Sequence, residues 1–266
     1  MFFPSHENHL HTLRIYLYIA LMEPTEQTTI VDRVLHVLAC VAKAGRPIGA
    51  KQIAAQAAMP LSTVYRHLSA LKKWGLLQEH MHSGLFEPGA TGVQLAWGFD
   101  QNSNLVNQSR EEIDALVART GESVGLLVYI NGQMVCISMA ESDQPLRCSF
   151  TKGRAHSMVR GASAKSLLAF LPRPVQAALI AEHYVNAPEQ VAALEAQLAD
   201  IRKKRYAISE SEVDLGVWGV SAPLITHDDR LEGTITLMAP ALRVGAREAE
   251  LIKLTRDAAD RICNRF

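Results

Sequence analysis

Cysteine is scarce and scattered: Cys40, Cys136, Cys148 and Cys263 form no Cys-x-x-Cys pair. That excludes a disulfide framework and a zinc ribbon, and it makes a reducing cytoplasm the expected compartment. Long apolar runs are missing as well. Ile15 to Met22 is far shorter than the roughly 20 residues a bilayer span needs, and no small-x-small cleavage pattern follows it. Near it, His6-Glu7-Asn8-His9-Leu10-His11 misses the zinc-protease spacing, because Leu10 stands where the second ligand is required. The ten histidines show no metal-ligand spacing elsewhere, so no metal site is expected. A nucleophile elbow, a phosphate loop and a dinucleotide fingerprint are all absent, which leaves no catalytic residues and no cofactor to propose. His156, His183 and His227 lie outside periodic core segments and read as surface residues. Residues 1–28 match nothing downstream and read as a flexible or artefactual extension, with Met22 as an alternative start.

Net charge is zero, so no overall basic field announces a nucleic-acid partner, yet the charge is unevenly placed. Between Thr29 and Ala90 stand Arg33, Lys43, Arg46, Lys51, Arg66, Lys72 and Lys73 against only Asp32, Glu79 and Glu87. A basic head on a slightly acidic body suits a chain whose one end meets phosphates. With 266 residues, 48% of them hydrophobic, two domains are expected rather than one.

The head carries the most informative pattern. Leu61, Val64, Leu68 and Leu71 recur at spacings of three and four, the stripe of a helix with one buried side. Pro60 suits its first position and Gly75 follows Trp74 to stop it. Upstream, Ile53, Ala54 and Ala57 form a short helix, with the turn at Ala58-Met59. In a helix-turn-helix the second helix enters the major groove and its first residues meet base edges. Ser62, Thr63 and Arg66 stand where that geometry needs polar donors, flanked by Tyr65, Ser69 and Lys73, with Lys51 on the preceding helix as a further DNA contact. A plain helical hairpin with a solvated polar face is the alternative. A hairpin from Leu76 to Pro88, turning near Ser83-Gly84, makes the unit winged. Before it, a helix runs from Ile30 to Ala44 with Val34, Leu35, Leu38 and Val41 inward, ended by Gly45-Arg46-Pro47. After it, Thr91 to Phe99 reads as a linker helix with Val93, Leu95, Ala96 and Trp97 offering apolar surface, and a longer helix spans Leu105 to Arg119 with Ile113, Leu116 and Val117 inward. Strands are expected at Val124–Ile130, Met134–Ala140, Val217–Leu224 and Gly233–Met238, and helices at Ser163–Phe170, Pro174–Glu182, Glu189–Lys204 and Glu248–Phe266.

Pro-x-Ser-Thr-Val-Tyr-Arg-x-Leu-x-x-Leu followed by Gly-Leu-Leu resembles the isocitrate-lyase-regulator (IclR) family of bacterial transcription factors. The resemblance continues through Thr120-Gly121-Glu122, Ala162-Ser163-Ala164-Lys165, Ile201 to Ala207, Glu210 to Asp214 and Gly216 to Pro223, in order, from about Thr29 to Phe266. It implies an α+β chain: a winged helix-turn-helix at 29–90, a linker helix at 91–103, and at 104–266 an α/β GAF/profilin-like domain for effector binding and oligomerisation. It also implies a homodimer or dimer of dimers reading a pseudo-palindromic operator in double-stranded DNA, with half-sites roughly 34–36 Å apart. Carried over position by position, a small organic acid would lie among Leu146, Cys148, Ala162, Ser163, Ser209, Gly219, Thr236 and Met238. A helix start at Ala162-Ser163 suits an anion, because its first N–H groups lack partners. Cys148 also reads as a packed core thiol.

Departures from the family pattern concentrate at Gly153 to Ala162, where proline and histidine are lost and Arg160 appears. In the wing, Leu85 and Glu87 stand where relatives place basic groups, leaving His80 and His82 as weak phosphate contacts. Two other readings stay open. The second domain acts on a small acid as an enzyme, or it only oligomerises a ligand-independent DNA binder.

Overall fold

The computed structural model describes residues 29–266, which separate into two compact units, residues 29–103 and Asn104–Phe266. The extension expected at 1–28, with its histidine cluster and Met22, lies outside the described residues.

In the first unit, α1 (Ile30–Ala44) starts at a capping box: Thr29 Oγ1 accepts from the Asp32 N–H at 3.1 Å, and Asp32 Oδ2 accepts from the Thr29 N–H at 2.9 Å. The Thr29 hydroxyl, then its N–H, hold the Asp32 carboxyl below the usual carboxylate range. Helices α2 (Ala50–Gln56) and α3 (Leu61–Lys73) follow, joined by a turn in which Ala58 takes a left-handed φ of 49°. Val37, Cys40, Val41, Ile53, Val64, Leu68 and Leu71 form the core with Leu77 and Phe86 of the hairpin β1 (Leu77–Glu79) and β2 (Phe86–Pro88). Ile48 bridges Phe86 through two backbone bonds of 2.9 Å. This is the winged helix-turn-helix the spacing predicts.

Three details differ from expectation. Leu35 is 54% exposed, and Val37 and Cys40 are buried instead. The apolar stretch of α1 wraps beyond the side that faces α3 and β2, so periodicity alone misplaces the buried arc. Leu61 is exposed because it opens the first turn of α3, and His67 is buried in the stripe. Pro60 caps the helix rather than starting it, its carbonyl accepting from the Thr63 and Val64 N–H groups at 3.0 and 3.1 Å.

Helix α4 (Ala90–Asn102) buries no residue, and Val93, Leu95, Trp97 and Phe99 are exposed. Its start is tied to the end of α3. Thr91 donates its N–H to the Gly75 carbonyl at 3.0 Å and its hydroxyl to the Trp74 carbonyl at 2.9 Å, and Gly89 donates to Leu76 at 2.8 Å. A Cβ at Gly89 would stand 2.2 Å from the Gly75 oxygen, so only glycine lets the two chains pass this closely.

The second unit opens with α5 (Asn104–Thr120) and the strands β3 (Ser123–Ile130), β4 (Gln133–Ala140) and β5 (Ala155–His156). Helices α6 (Ala162–Phe170), α7 (Arg173–His183) and α8 (Pro188–Lys204) precede β6 (Ala207–Glu210), β7 (Val217–Ile225), β8 (Leu231–Pro240) and α9 (Glu248–Cys263). The strands form one antiparallel sheet in the order β5-β4-β3-β8-β7-β6. Strands β5 and β6 were not expected; both are short edges with little apolar alternation to signal them.

Alternation decides the two faces. Trp218, Val220, Ala222 and Leu224 of β7 and Ile235, Leu237 and Ala239 of β8 join the core built with α5 and α9. The residues between them, Gly219, Ser221, Thr234, Thr236 and Met238, belong to the opposite face, where α6 packs. Small side chains let α6 come close, and it is buried from Ala162 to Ala169. The resulting hydroxyls pair with one another. Thr236 Oγ1 lies 2.9 Å from both Ser163 Oγ and Ser221 Oγ, and Thr234 Oγ1 lies 2.6 Å from Ser221 Oγ and 2.9 Å from Ser166 Oγ. Paired hydroxyls remove the penalty of burying them.

Candidate nucleic-acid interface and ligand cavity

Two places in the chain gather polar groups that the core does not use. The first is α3. Its buried stripe fixes the rotation of the helix, which leaves Ser62, Tyr65, Arg66, Ser69 and Lys73 exposed and Thr63 half-buried; Lys51 is exposed on α2. Ser62, Thr63 and Arg66 therefore share the N-terminal half of an exposed helical face, the arrangement a base-reading helix requires. Ser69 differs from the rest. Its hydroxyl donates to the Tyr65 carbonyl at 2.9 Å, so it faces outward as an acceptor only. Around the wing the charges are neutralised locally: Lys72 pairs with Glu79, and His80 Nε2 lies 2.8 Å from Glu87. Hydrogen bonds from His80, then Gln78, keep the Glu87 carboxyl below its usual range. The His80 Nε2 is thus committed to Glu87, which leaves only its other ring nitrogen for a phosphate. Glu87 stands where the resemblance leads one to look for a basic group.

The second place is a cavity of about 430 Å³ between the start of α6, the loop after β6 and the segment from Cys148 to Ser157. It brings together Cys148, Ala162, Ser163, Ser209, Gly219, Thr236 and Met238, seven of the eight residues named from the resemblance. Leu146 does not join them. It is 63% exposed, and its carbonyl is drawn away to Arg243 Nη1 at 2.7 Å. Cys148 is half-buried, and burial, then the Glu122 charge, raises its thiol pKa.

The start of α6 is not open in the way its sequence suggests. Gly161, with φ at 88°, donates its N–H to Glu212 Oε2 at 3.0 Å, and Ala162 donates to Ser209 Oγ at 2.9 Å. Glu212 Oε1 accepts from Lys165 Nζ at 2.6 Å, and the Arg160 guanidinium donates to the Glu212 main-chain carbonyl. Lys165 is only 8% exposed, so the carboxylate supplies the charge partner that a buried ammonium requires. Glu212 thus sets a carboxylate beside the helix end, held by the Gly161 N–H and Lys165 and not by the N–H groups of Ser163 and Ala164.

Several lining residues escape a sequence reading: Met134, Phe150, Arg154, His156, Arg160 and Glu212. His156 is the clearest correction. Expected at the surface, it is half-buried on β5 with its ring edge-on to Phe150 at 5.1 Å, and its Nε2 is buried without a hydrogen-bond partner. Burial, then the Arg154 charge, lowers its pKa, so the ring is neutral at pH 7. A signal was available, since Arg160 and His156 fall in the ten-residue stretch where the family pattern breaks down. Among the described residues no group of His, Cys, Asp and Glu could hold a metal ion, and no helix is long and apolar enough to cross a membrane.

The model of the IclR helix-turn-helix domain matches residues 30–80, and that of the bacterial transcriptional regulator IclR C-terminal domain matches residues 100–264. The HTH-type transcriptional regulator BhcR of Paracoccus denitrificans is 25% identical, covering 80% of this chain and 78% of its own length. The transcriptional repressor IclR of Escherichia coli is 22% identical over 85% of each. The crystal structure of an IclR family transcriptional regulator from Brucella abortus superposes with a TM-score of 0.76 at 19% identity, covering 92% of this chain and 95% of that one, which supports the fold.

Proposed function

The chain belongs to the IclR family of DNA-binding bacterial transcriptional regulators, and from that premise we propose that a small organic acid, held in the cavity beside α6, controls its affinity for an operator. What supports the reading is the convergence of Cys148, Ser163, Ser209, Gly219, Thr236 and Met238 on one cavity, although they come from five separate stretches of chain. The body of such a ligand would rest on Met134, Phe150 and Met238. The regulator works in the cytoplasm as a homodimer or dimer of dimers on a pseudo-palindromic site. The exposed Val93, Leu95, Trp97 and Phe99 of α4 are the surface for self-association, and α4 serves as the linker between a DNA-binding domain at 29–90 and an effector domain at 104–266. On DNA, Ser62, Thr63 and Arg66 meet base edges while Lys51, Tyr65 and Lys73 contact the backbone, which Ser69 joins only by exchanging its bond to the Tyr65 carbonyl for one to a phosphate.

A ligand changes DNA affinity only if it favours one arrangement of the heads over another. The test is to recover bound genomic fragments, measure operator affinity, and repeat it with organic acids that raise the melting temperature. An acid that stabilises the chain and shifts operator affinity supports the proposal. Acids that stabilise it with no change in operator affinity refute ligand control. For the DNA contacts, Arg66→Ala should weaken operator binding by about 1–3 kcal/mol and relax specificity at one base pair. Equal weakening on every sequence, with a flatter salt slope, would assign Arg66 to phosphate instead.

A further inference from the structure

The far end of α6 gathers cations that neither the cavity nor the DNA-reading helix uses. Its last turn meets the start of α7 and the end of α8. Gln176, 3% exposed, donates from Nε2 to the Leu168 carbonyl at 2.7 Å, which fixes the amide. Its single neutral Oε1 then accepts from two guanidiniums, Arg173 Nη1 and Arg202 Nη2, each at 3.2 Å. Sharing one acceptor brings two like charges close together. Arg202 is held there by a second bond, from Nε to the Ala169 carbonyl at 2.7 Å. Burial, then the Arg173 charge, keeps its pKa below the usual value.

The carbonyl ends of α6 and α8 account for part of this charge, because cations stabilise a helix C-terminus. They do not account for Arg173. It is the first residue of α7, the end at which the helix dipole disfavours a cation. Among the described residues Lys204 pairs with Asp200, whereas Arg173, Arg202, Lys203 and Arg205 have no carboxylate partner. Arg205 instead lies over the Phe170 ring, 5.5 Å from its centroid. Arg173 is exposed, and Arg202 Nη1 is unbonded without being sealed in the way His67 Nε2 is, so donors remain for a ligand.

We propose that this junction of α6, α7 and α8 binds a small divalent oxyanion, inorganic phosphate or the phosphate group of a metabolite, bridged between Arg173 and Arg202. A tetrahedral anion with a charge-assisted bond of about 2.8 Å to each guanidinium spans the pair, and its two charges match the two cations. A monocarboxylate supplies only one. Nine residues of α6, roughly 13 Å of helix, separate this site from the cavity at the other end. The proposal does not depend on the cavity being an effector site.

The test is calorimetry on the full chain in Tris chloride, titrated with sodium phosphate and with sodium acetate at the same ionic strength. Phosphate should bind and acetate should not. Arg173→Gln, at an exposed position, should weaken phosphate by roughly tenfold, and Arg173→Lys, which keeps the charge, should lose less. Hydrogen exchange locates the site: phosphate should slow exchange in peptides from 168–178 and 198–205 and leave 148–163 at its native rate. Glycerol 3-phosphate distinguishes the sources, since tighter binding than phosphate assigns an ester and weaker binding the free ion. Equal heats from phosphate and acetate overturn the proposal, as does phosphate binding that Arg173→Gln leaves unchanged. Protection confined to 148–163 also overturns it, by putting the anion at the start of α6. If phosphate has no effect while Arg173→Gln flattens the salt slope of operator binding, the proposal fails and the pair contacts the DNA backbone instead.

Discussion

Replacing Gly89 by alanine should break the link between the recognition helix and α4. The backbone of Gly89 is extended, with φ −90° and ψ 179°, so alanine meets no dihedral penalty and the effect is purely steric. Its Cβ would lie 2.2 Å from the Gly75 oxygen, 2.9 Å from the Gly75 carbonyl carbon and 3.0 Å from that of Leu77. Ordinary contact lies about 1 Å further out. The strands must part, which stretches the Gly89–Leu76, Thr91–Gly75 and Thr91–Trp74 bonds of 2.8, 3.0 and 2.9 Å. Overpacking with partial loss of these bonds amounts to about 2–4 kcal/mol. Gly92, three residues on and inside α4, is the control. Its added Cβ would meet only Pro88 Cβ, at 3.8 Å, so Gly92→Ala should stabilise by about 0.5–1 kcal/mol through helix propensity. Hydrogen exchange read by mass spectrometry on peptides from 61–102 separates this region from the second unit. Exchange at native rates in Gly89→Ala, or a change of the same sign in both variants, would refute the reasoning.

Further outcomes can be checked alongside. Glu122 is 2% exposed and accepts from Arg243 Nε and Nη2 at 2.8 and 2.6 Å, so Arg243→Ala should destabilise the second unit by about 2–4 kcal/mol in urea unfolding, and adding Glu122→Gln should restore part of it. His67 and His156 have lowered pKa values in the folded chain, through burial first and then Arg66 or Arg154. On unfolding each takes up a proton near pH 6.5 that the folded chain binds only at lower pH, so stability should fall as pH drops below about 6.5. His67→Phe should flatten that slope, and an unchanged slope argues that His67 titrates normally when folded. Burial pushes the Cys136 thiol up to about 11, so iodoacetamide at pH 8 should leave Cys136 unlabelled in the native chain and label it after denaturation.

Local order and function class were readable from one-dimensional spacing. The i, i+3, i+4 recurrence of Val64, Leu68 and Leu71, the stop at Gly75 and the alternation along Val217–Leu224 each depend on short-range geometry, which a linear sequence carries directly. What tertiary structure alone decided lies where distant stretches meet. Leu35 and Leu61 were misplaced because a helical stripe does not say how wide an arc its neighbours cover. Leu146 left the cavity because Arg243, far along the chain, draws its carbonyl outward. Most consequentially, Glu212 reaches Gly161 and Lys165 across a sequence separation that no periodicity spans, and it sets a carboxylate beside the start of α6. His156 became a buried, unpartnered group only when β5 docked on β4 and brought its ring to Phe150. Spacing encodes which face a residue takes; only packing determines which charge or hydrogen-bond partner that face meets.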